Sequence, residues 1–310
     1  MLSKEVKRYL GVRKYSTSSS SFDPTKLIGQ VYEQYNVNIN HRDSILYALS
    51  VGFSQDPMNI SHFRFTYEND QNFQIFPSMS AALALHKFPS FLNLPGFPQH
   101  DPFKILHGEE DVEILKPIQI ENGDQYKVVE KIMDMQDKGK FTSLIVEKSI
   151  QNLRSQEVHS RVISTYVMLG LTGYGYKGSY KSPSFPKKPE RNPDHESEER
   201  TSPNQAILYR LNGDLNPLHI DPRKAAISKF DRPILHGLCT FGNSSRVAYD
   251  KFVNDDATKI QRIVSRFTAH VFPGETLKVS LWKQDDHTIY YETDVKERGV
   301  TALKGYMLLN

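Results

Sequence analysis

Pro233-Ile234-Leu235-His236-Gly237-Leu238-Cys239-Thr240-Phe241-Gly242, running on into Ser245-Arg246-Val247-Ala248-Tyr249, decides how this chain is built. The block is apolar, rich in small residues and opened by a proline. Its second part reads as the amphipathic end of a helix whose first turn holds Gly237. After it the period changes. Glu275 to Trp282, Thr288 to Val295 and Thr301 to Leu308 alternate as strands, separated by the turn formers Pro273-Gly274, Asp285-Asp286 and Arg298-Gly299. The first half runs in the same order. A helix is expected over Ile45 to Gly52, then strands over Val112 to Leu115, Tyr126 to Met133, Phe141 to Glu147 and Val158 to Leu169. A helix followed by long antiparallel strands, occurring twice, predicts an α+β chain of two helix-wrapped sheets joined side by side. Burial of one apolar sheet face in each half is the main source of stability.

The halves are 22–171 and 204–310. Between them, Thr172 to Pro203 is rich in Gly, Ser, Pro and charge without an apolar period, and reads as a linker. Residues 1–21 read as a targeting leader. Lys4, Lys7, Arg8, Arg13 and Lys14 face a single acid, Glu5; Leu2, Val6 and Leu10 share a helical face, and Ser16 to Ser21 is nearly all hydroxyl. That is the character of a mitochondrial transit peptide. The C-terminal Tyr306-Met307-Leu308-Leu309-Asn310 is not a Ser-Lys-Leu-type peroxisomal signal.

Composition narrows the function. The chain has 310 residues, 38% hydrophobic and 24% charged, as expected of a globular protein with one or two domains. No apolar run approaches the roughly 18–20 residues of a membrane span. A net charge of +3 is too small to argue for nucleic acid, no aromatic-interleaved basic block appears, and the mild positive balance suits a polyanionic ligand without demanding one. The single cysteine, Cys239, rules out an internal disulfide and a cysteine-rich zinc cage; in its apolar setting it reads as a buried spectator.

The chemistry-bearing stretch is Gly213-Asp214-Leu215-Asn216-Pro217-Leu218-His219-Ile220-Asp221-Pro222. Pro217 removes a backbone donor and pushes Asn216 out of the α region, so Asp214 to His219 form a loop. A helix then starts with Asp221 as N-cap and Pro222 at its first position. An acid and a base on a stiff loop make a proton-handling site. The bland alternative is a turn in which Asp214 caps local amides and His219 fills a gap. At Gly237 the first-turn amide lacks an intrahelical acceptor, and the missing side chain lets a carbonyl approach it, which is how an oxyanion site is built. A glycine needed only for tight helix–sheet packing is the competing explanation.

Tyr209 to Pro222 followed by Phe230 to Gly242 closely resembles the (R)-specific 2-enoyl-CoA hydratases, or hydratase 2, within the MaoC-like dehydratases; they include the hydratase part of peroxisomal multifunctional enzymes. The similarity continues through Arg266-Phe267 and Phe272 to Leu277, as far as Trp282. In the first half it covers Tyr47 to Gly52, Phe65-Thr66-Tyr67-Glu68 and Leu106-His107-Gly108-Glu109. The resemblance implies a double hot-dog fold and reversible syn hydration of trans-2-enoyl-CoA to (3R)-3-hydroxyacyl-CoA in fatty-acid β-oxidation. It implies Asp214, His219 and the Gly237 N–H as catalytic groups, with Glu68 at a position that matters in the family. Ligand contacts carry over to His107, Gly108, Lys138, Asn216 and Phe267. The coenzyme A thioester is the substrate, no cofactor is needed, and a homodimer or pseudo-dimeric monomer is expected. Family analogy makes the peroxisome the alternative compartment.

The first half has no Asp-x-Asn-Pro-x-His loop. Its segment Phe76 to Leu83 stands where the second half has Pro233 to Gly242, and Met79 with the small Ser and Ala residues would leave room for an acyl tail. The rivals are a hot-dog thioesterase, whose water must be aimed at the carbonyl carbon, and a non-catalytic acyl-CoA or acyl-carrier binding module. A metal hydrolase built on His219, Asp221 and His236 is disfavoured because capping already explains Asp221, so no metal is expected.

Overall fold

The computed structural model of the chain describes residues 22–85, 89–120, 125–253 and 256–310; the leader lies outside them. Among the described residues the strands are β1 Val31–Val37, β2 Ile105–Ile114, β3 Tyr126–Asp137, β4 Phe141–Asn152, β5 Val158–Leu169, β6 His195–Arg200, β7 Ile260–Phe267, β8 Thr276–Lys283, β9 Thr288–Val295 and β10 Val300–Leu309. The α-helices are α1 His41–Ser50, α2 Phe63–Thr66, α3 Met79–Leu83, α4 Gln205–Tyr209, α5 Pro222–Ile227 and α6 Gly237–Phe252.

The strands lie in the order β1-β3-β4-β5-β2-β7-β10-β9-β8-β6. Outward from the β2/β7 seam the two halves repeat one another, and this is the double hot-dog. The two expected sheets are therefore one continuous sheet. The seam is antiparallel, with Glu109 opposite Arg266 and Glu113 opposite Arg262. Arg266 Nε donates to Glu109 at 2.5 Å, and Arg262 makes two bonds to Asp111 at 2.7 and 2.6 Å. Two strands that would each be an open edge close one another, with charges in register.

β5 and β9 have the bounds that the alternation predicts, whereas β1, β6 and β7 escape it. β6 falls inside the expected 172–203 linker. It is a polar strand, alternately half-buried and exposed, on the outer edge of the sheet. Backbone pairing needs no apolar side chain there, and ion pairs such as Lys278 with Glu196 at 2.8 Å hold it. A second correction concerns the first-half helix. α1 starts earlier than expected, at an Asn40/Asp43 capping box. It packs on α2 and α4, and the short α3 takes the place on the first-half sheet, against β2 and β5. Met79, Ser80, Ala81 and Ala82 are all buried, so this helix has no polar face to show a period. In the second half α6 is enclosed by β7, β8, β9 and β10, with Leu238 to Tyr249 buried throughout.

Candidate active site

The acid–base loop is stiffened by its own side chains. Asp214 Oδ1 accepts from the Asn216 N–H at 3.1 Å, and Asn216 Oδ1 accepts from the Leu218 N–H at 3.1 Å, capping a single 3₁₀ turn over Pro217–His219. Asn216 therefore orients the loop. Asp221 caps α5 by accepting from the Arg223 N–H at 2.9 Å, and the Arg223 guanidinium occupies both its oxygens.

His219 lies against the strand-like Ile234-Leu235, which is anchored by the Leu235 N–H donating to the Val271 carbonyl at 2.7 Å. His219 Nδ1 sits 2.8 Å from the Ile234 carbonyl. A carbonyl only accepts, so Nδ1 carries the proton and Nε2 keeps a lone pair. Burial lowers the His219 pKa, with the Asp214 charge opposing. His236 stacks on His219 at 3.7 Å between ring centroids and 26° between planes. Its Nε2 is 3.3 Å from the Asp214 carbonyl and 3.9 Å from Asp214 Oδ2. Burial, and then the neighbouring imidazole, hold His236 well below the ordinary histidine range. Both rings are neutral near neutral pH.

One polar atom each from Asp214, His219 and His236 lie within 4.8 Å of one another. Two hydrogen bonds of about 2.8 Å meeting on one water span about 4.6 Å, so carboxylate and imidazole lie within the reach of one shared water. An ion is poorly served. Near-parallel rings keep their lone pairs from converging, and His236 Nε2 faces a carbonyl, which requires it to carry the proton.

Gly237 opens α6 and is half-buried, and among the described residues nothing accepts from its N–H. A Cβ there would lie 3.1 Å from the Phe267 ring, so glycine also provides close packing. Phe267 packs on His107 at 4.8 Å between centroids. The structure thus brings Asp214, His219, Gly237, Phe267, His107 and Gly108 to one end of the sheet. Lys138 sits in the β3–β4 turn on the same rim, three strands from β2 or about 14 Å, with Nζ 2.6 Å from Gln136 Oε1. Glu68 is elsewhere. It is exposed just after α2, where Phe65 packs on Tyr249 at 5.2 Å, and Tyr249 lies twelve residues or about 18 Å along α6 from Gly237. Geometry gives Glu68 no part in the water site.

His236 is the site residue that sequence reasoning undervalued. Its position directly before the helix start was the available signal, because an extended N-cap residue projects across the helix end toward the preceding loop.

A pH dependence follows from the two buried imidazoles. Each binds its proton less readily in the folded chain than at the unfolded value of about 6.5, so the unfolded state holds more protons below that pH. Their contribution to stability is complete above about pH 6.5 and is lost as pH falls toward the depressed folded values, at up to about 1.4 kcal/mol per pH unit for each histidine. Thermal midpoints from pH 8 to 5 check this: flat above neutrality and falling below about 6.5, with roughly half the slope in His236→Phe.

The residues also place the chain among known proteins. Residues 184–305 match the family model described as a MaoC like domain, and residues 37–170 match the MFE-2 hydratase 2 N-terminal domain. The chain is 37% identical over 303 residues to "Enoyl-CoA hydratase 2, peroxisomal" of Arabidopsis thaliana, covering 94% of this chain and 97% of that protein. It is 34% identical over 275 residues to the mouse "Peroxisomal multifunctional enzyme type 2", covering 88% of this chain and 36% of that longer protein. The crystal structure of a MaoC-like dehydratase from Phytophthora capsici superposes with a TM-score of 0.82 at 34% identity, covering 93% of this chain and 99% of that one. The continuous sheet, the Asp214–His219 loop and the Gly237 helix start thus belong to a member of the enoyl-CoA hydratase 2 family of MaoC-like proteins.

Proposed function

We propose that this protein hydrates trans-2-enoyl-CoA reversibly to (3R)-3-hydroxyacyl-CoA in fatty-acid β-oxidation. The observation that carries the reading is the Asp214–His219 pair, one water wide, beside an unclaimed helix-start amide. The pair holds one water, whose oxygen adds to the β-carbon while a proton reaches the α-carbon on the same face of the double bond. As charge moves to the thioester oxygen, the Gly237 N–H donates to it, worth roughly 3–4 kcal/mol of barrier. His219 offers a lone pair and Asp214 a carboxylate to the same water. Water and thioester balance the reaction, so no cofactor takes part. His107, Gly108, Phe267 and the more distant Lys138 line the approach of the coenzyme A arm.

Crotonyl-CoA turnover with chiral product analysis tests the reading, and (3R)-3-hydroxybutyryl-CoA is the expected product. Release of free coenzyme A from a saturated acyl-CoA without hydration identifies a thioesterase instead. Binding without turnover identifies a binding module.

The first half is read as acyl room. A cavity of about 480 Å³ lies there, lined among others by Ile75, Pro77, Ser80, Ile114, Ile118 and Ser160. Ile114 is seven residues, or about 23 Å, along β2 from His107, so only a long tail reaches it. Ser80→Trp is expected to lower kcat/KM for hexadecenoyl-CoA about tenfold relative to crotonyl-CoA in the same variant.

The names of both relatives above say peroxisomal, and we read this chain as peroxisomal too. A fluorescent fusion of the full chain is expected to follow a peroxisomal marker rather than a mitochondrial one. Removing residues 1–20 leaves turnover intact, since the site is assembled from residues beyond them.

A further inference from the structure

We propose that Glu110 is a positioning residue for this site, holding His107 in one tautomer so that its Nδ1 offers a lone pair to an amide N–H of the ligand's pantetheine arm. The proposal rests on the acyl-CoA reading above. Residues three apart on a regular strand point to opposite faces. In β2 the register slips: His107 pairs with Tyr166 and Glu109 with Thr165, leaving Gly108 between them. This bulge turns His107 and Glu110 to the same side, and His107 Nε2 lies 2.8 Å from Glu110 Oε2. The bulge is tight. A Cβ at Gly108 would come within 3.2 Å of the Thr165 carbonyl and 3.3 Å of Val167 Cγ2.

Glu110 is fully buried, and among the described residues its Oε1 has no hydrogen-bond partner. Such a carboxylate is a cost that an apolar residue of similar size would avoid, so a packing role does not account for it. Lys148 is likewise buried, and its Nζ donates to the Tyr166 hydroxyl at 3.0 Å. Burial works against the Lys148 charge, but Tyr166, Glu130 and Glu110 together outweigh it and raise its pKa. Glu130 is in turn held by the Tyr32 hydroxyl at 2.7 Å. With Glu110 as the acceptor in this 2.8 Å contact, His107 Nε2 carries the proton and Nδ1 the lone pair. Nδ1 has no partner among the described residues, and the ring is held between Tyr166 at 5.1 Å and Phe267 at 4.8 Å. Phe267 is the ring that covers Gly237. Glu110 thus acts on the ligand through His107, from beneath the sheet surface.

The test begins with the ¹⁵N resonances of His107 in the whole chain. The Nε2–H tautomer is expected, and an Nδ1–H tautomer overturns the proposal whatever the variants do. Glu110→Leu, which removes the acceptor at similar size, is then compared by calorimetry with butyryl-CoA, which binds without reacting, and by crotonyl-CoA kinetics. Butyryl-CoA affinity is expected to fall and KM to rise about tenfold, with kcat changing far less. In a His107→Ala background the same change is expected to cost less than about twofold, because its effect passes through the imidazole. An undiminished cost in that background, or no change in butyryl-CoA binding, overturns the proposal. A wild-type chain that binds butyryl-CoA with the Nε2–H tautomer but hydrates nothing removes the hydratase reading and leaves this one standing.

Discussion

Asp214→Asn and His219→Gln each lower kcat for crotonyl-CoA by about 10³–10⁴-fold while the fold is retained, as circular dichroism and steady-state kinetics will check. Asparagine at 214 still accepts from the Asn216 N–H, so the loop keeps its shape and loses only the charge that holds the water. Glutamine at 219 is polar and of similar size but has no basic nitrogen to take a proton from the water. Because the two groups grip one water, the double variant is expected to be little worse than either single one. Turnover within about tenfold of wild type in either single variant would mean that the water is activated elsewhere.

Gly237→Pro separates the amide from its surroundings. Position 237 is the first residue of α6, where proline's fixed φ suits the helix and no intrahelical bond is lost. His236 precedes it at φ −60° and ψ 133°, a conformation proline accepts in its neighbour. The new Cβ meets Phe267 in both Gly237→Pro and Gly237→Ala, so the alanine variant is the reference for crowding. Relative to alanine, proline is expected to cost a further 10²–10³-fold, roughly, in kcat, the usual loss for one oxyanion donor. Equal rates in the two variants would show that the thioester oxygen is stabilised by another group.

Much of this was local, and local features are legible in a chain. The Asp221–Pro222 helix start, the break at Pro217 and the helix beginning at Gly237 depend on residues within a few positions of one another. They appear in the structure where capping and proline geometry place them. The strands of the second half were readable because runs rich in β-branched and aromatic residues are bounded there by turn formers, although both of their faces are largely buried. β6 and α3 were not: an edge strand needs no apolar residues, and a five-residue helix buried on all sides has no period.

Amino-acid order alone determined that an acid, a base and an exposed amide would each sit on a rigid local frame. Only the packed chain decided which of them meet. His236 stacks on His219 from a segment 17 residues away, Phe267 closes on Gly237 from the next strand, and Glu68 is carried off to the far end of α6. The pairing of Arg266 with Glu109 spans 157 positions. No short-range preference encodes such a meeting; it arises when two half-sheets, each unable to cover its own open edge, cover one another's and bring the two ends of the site together.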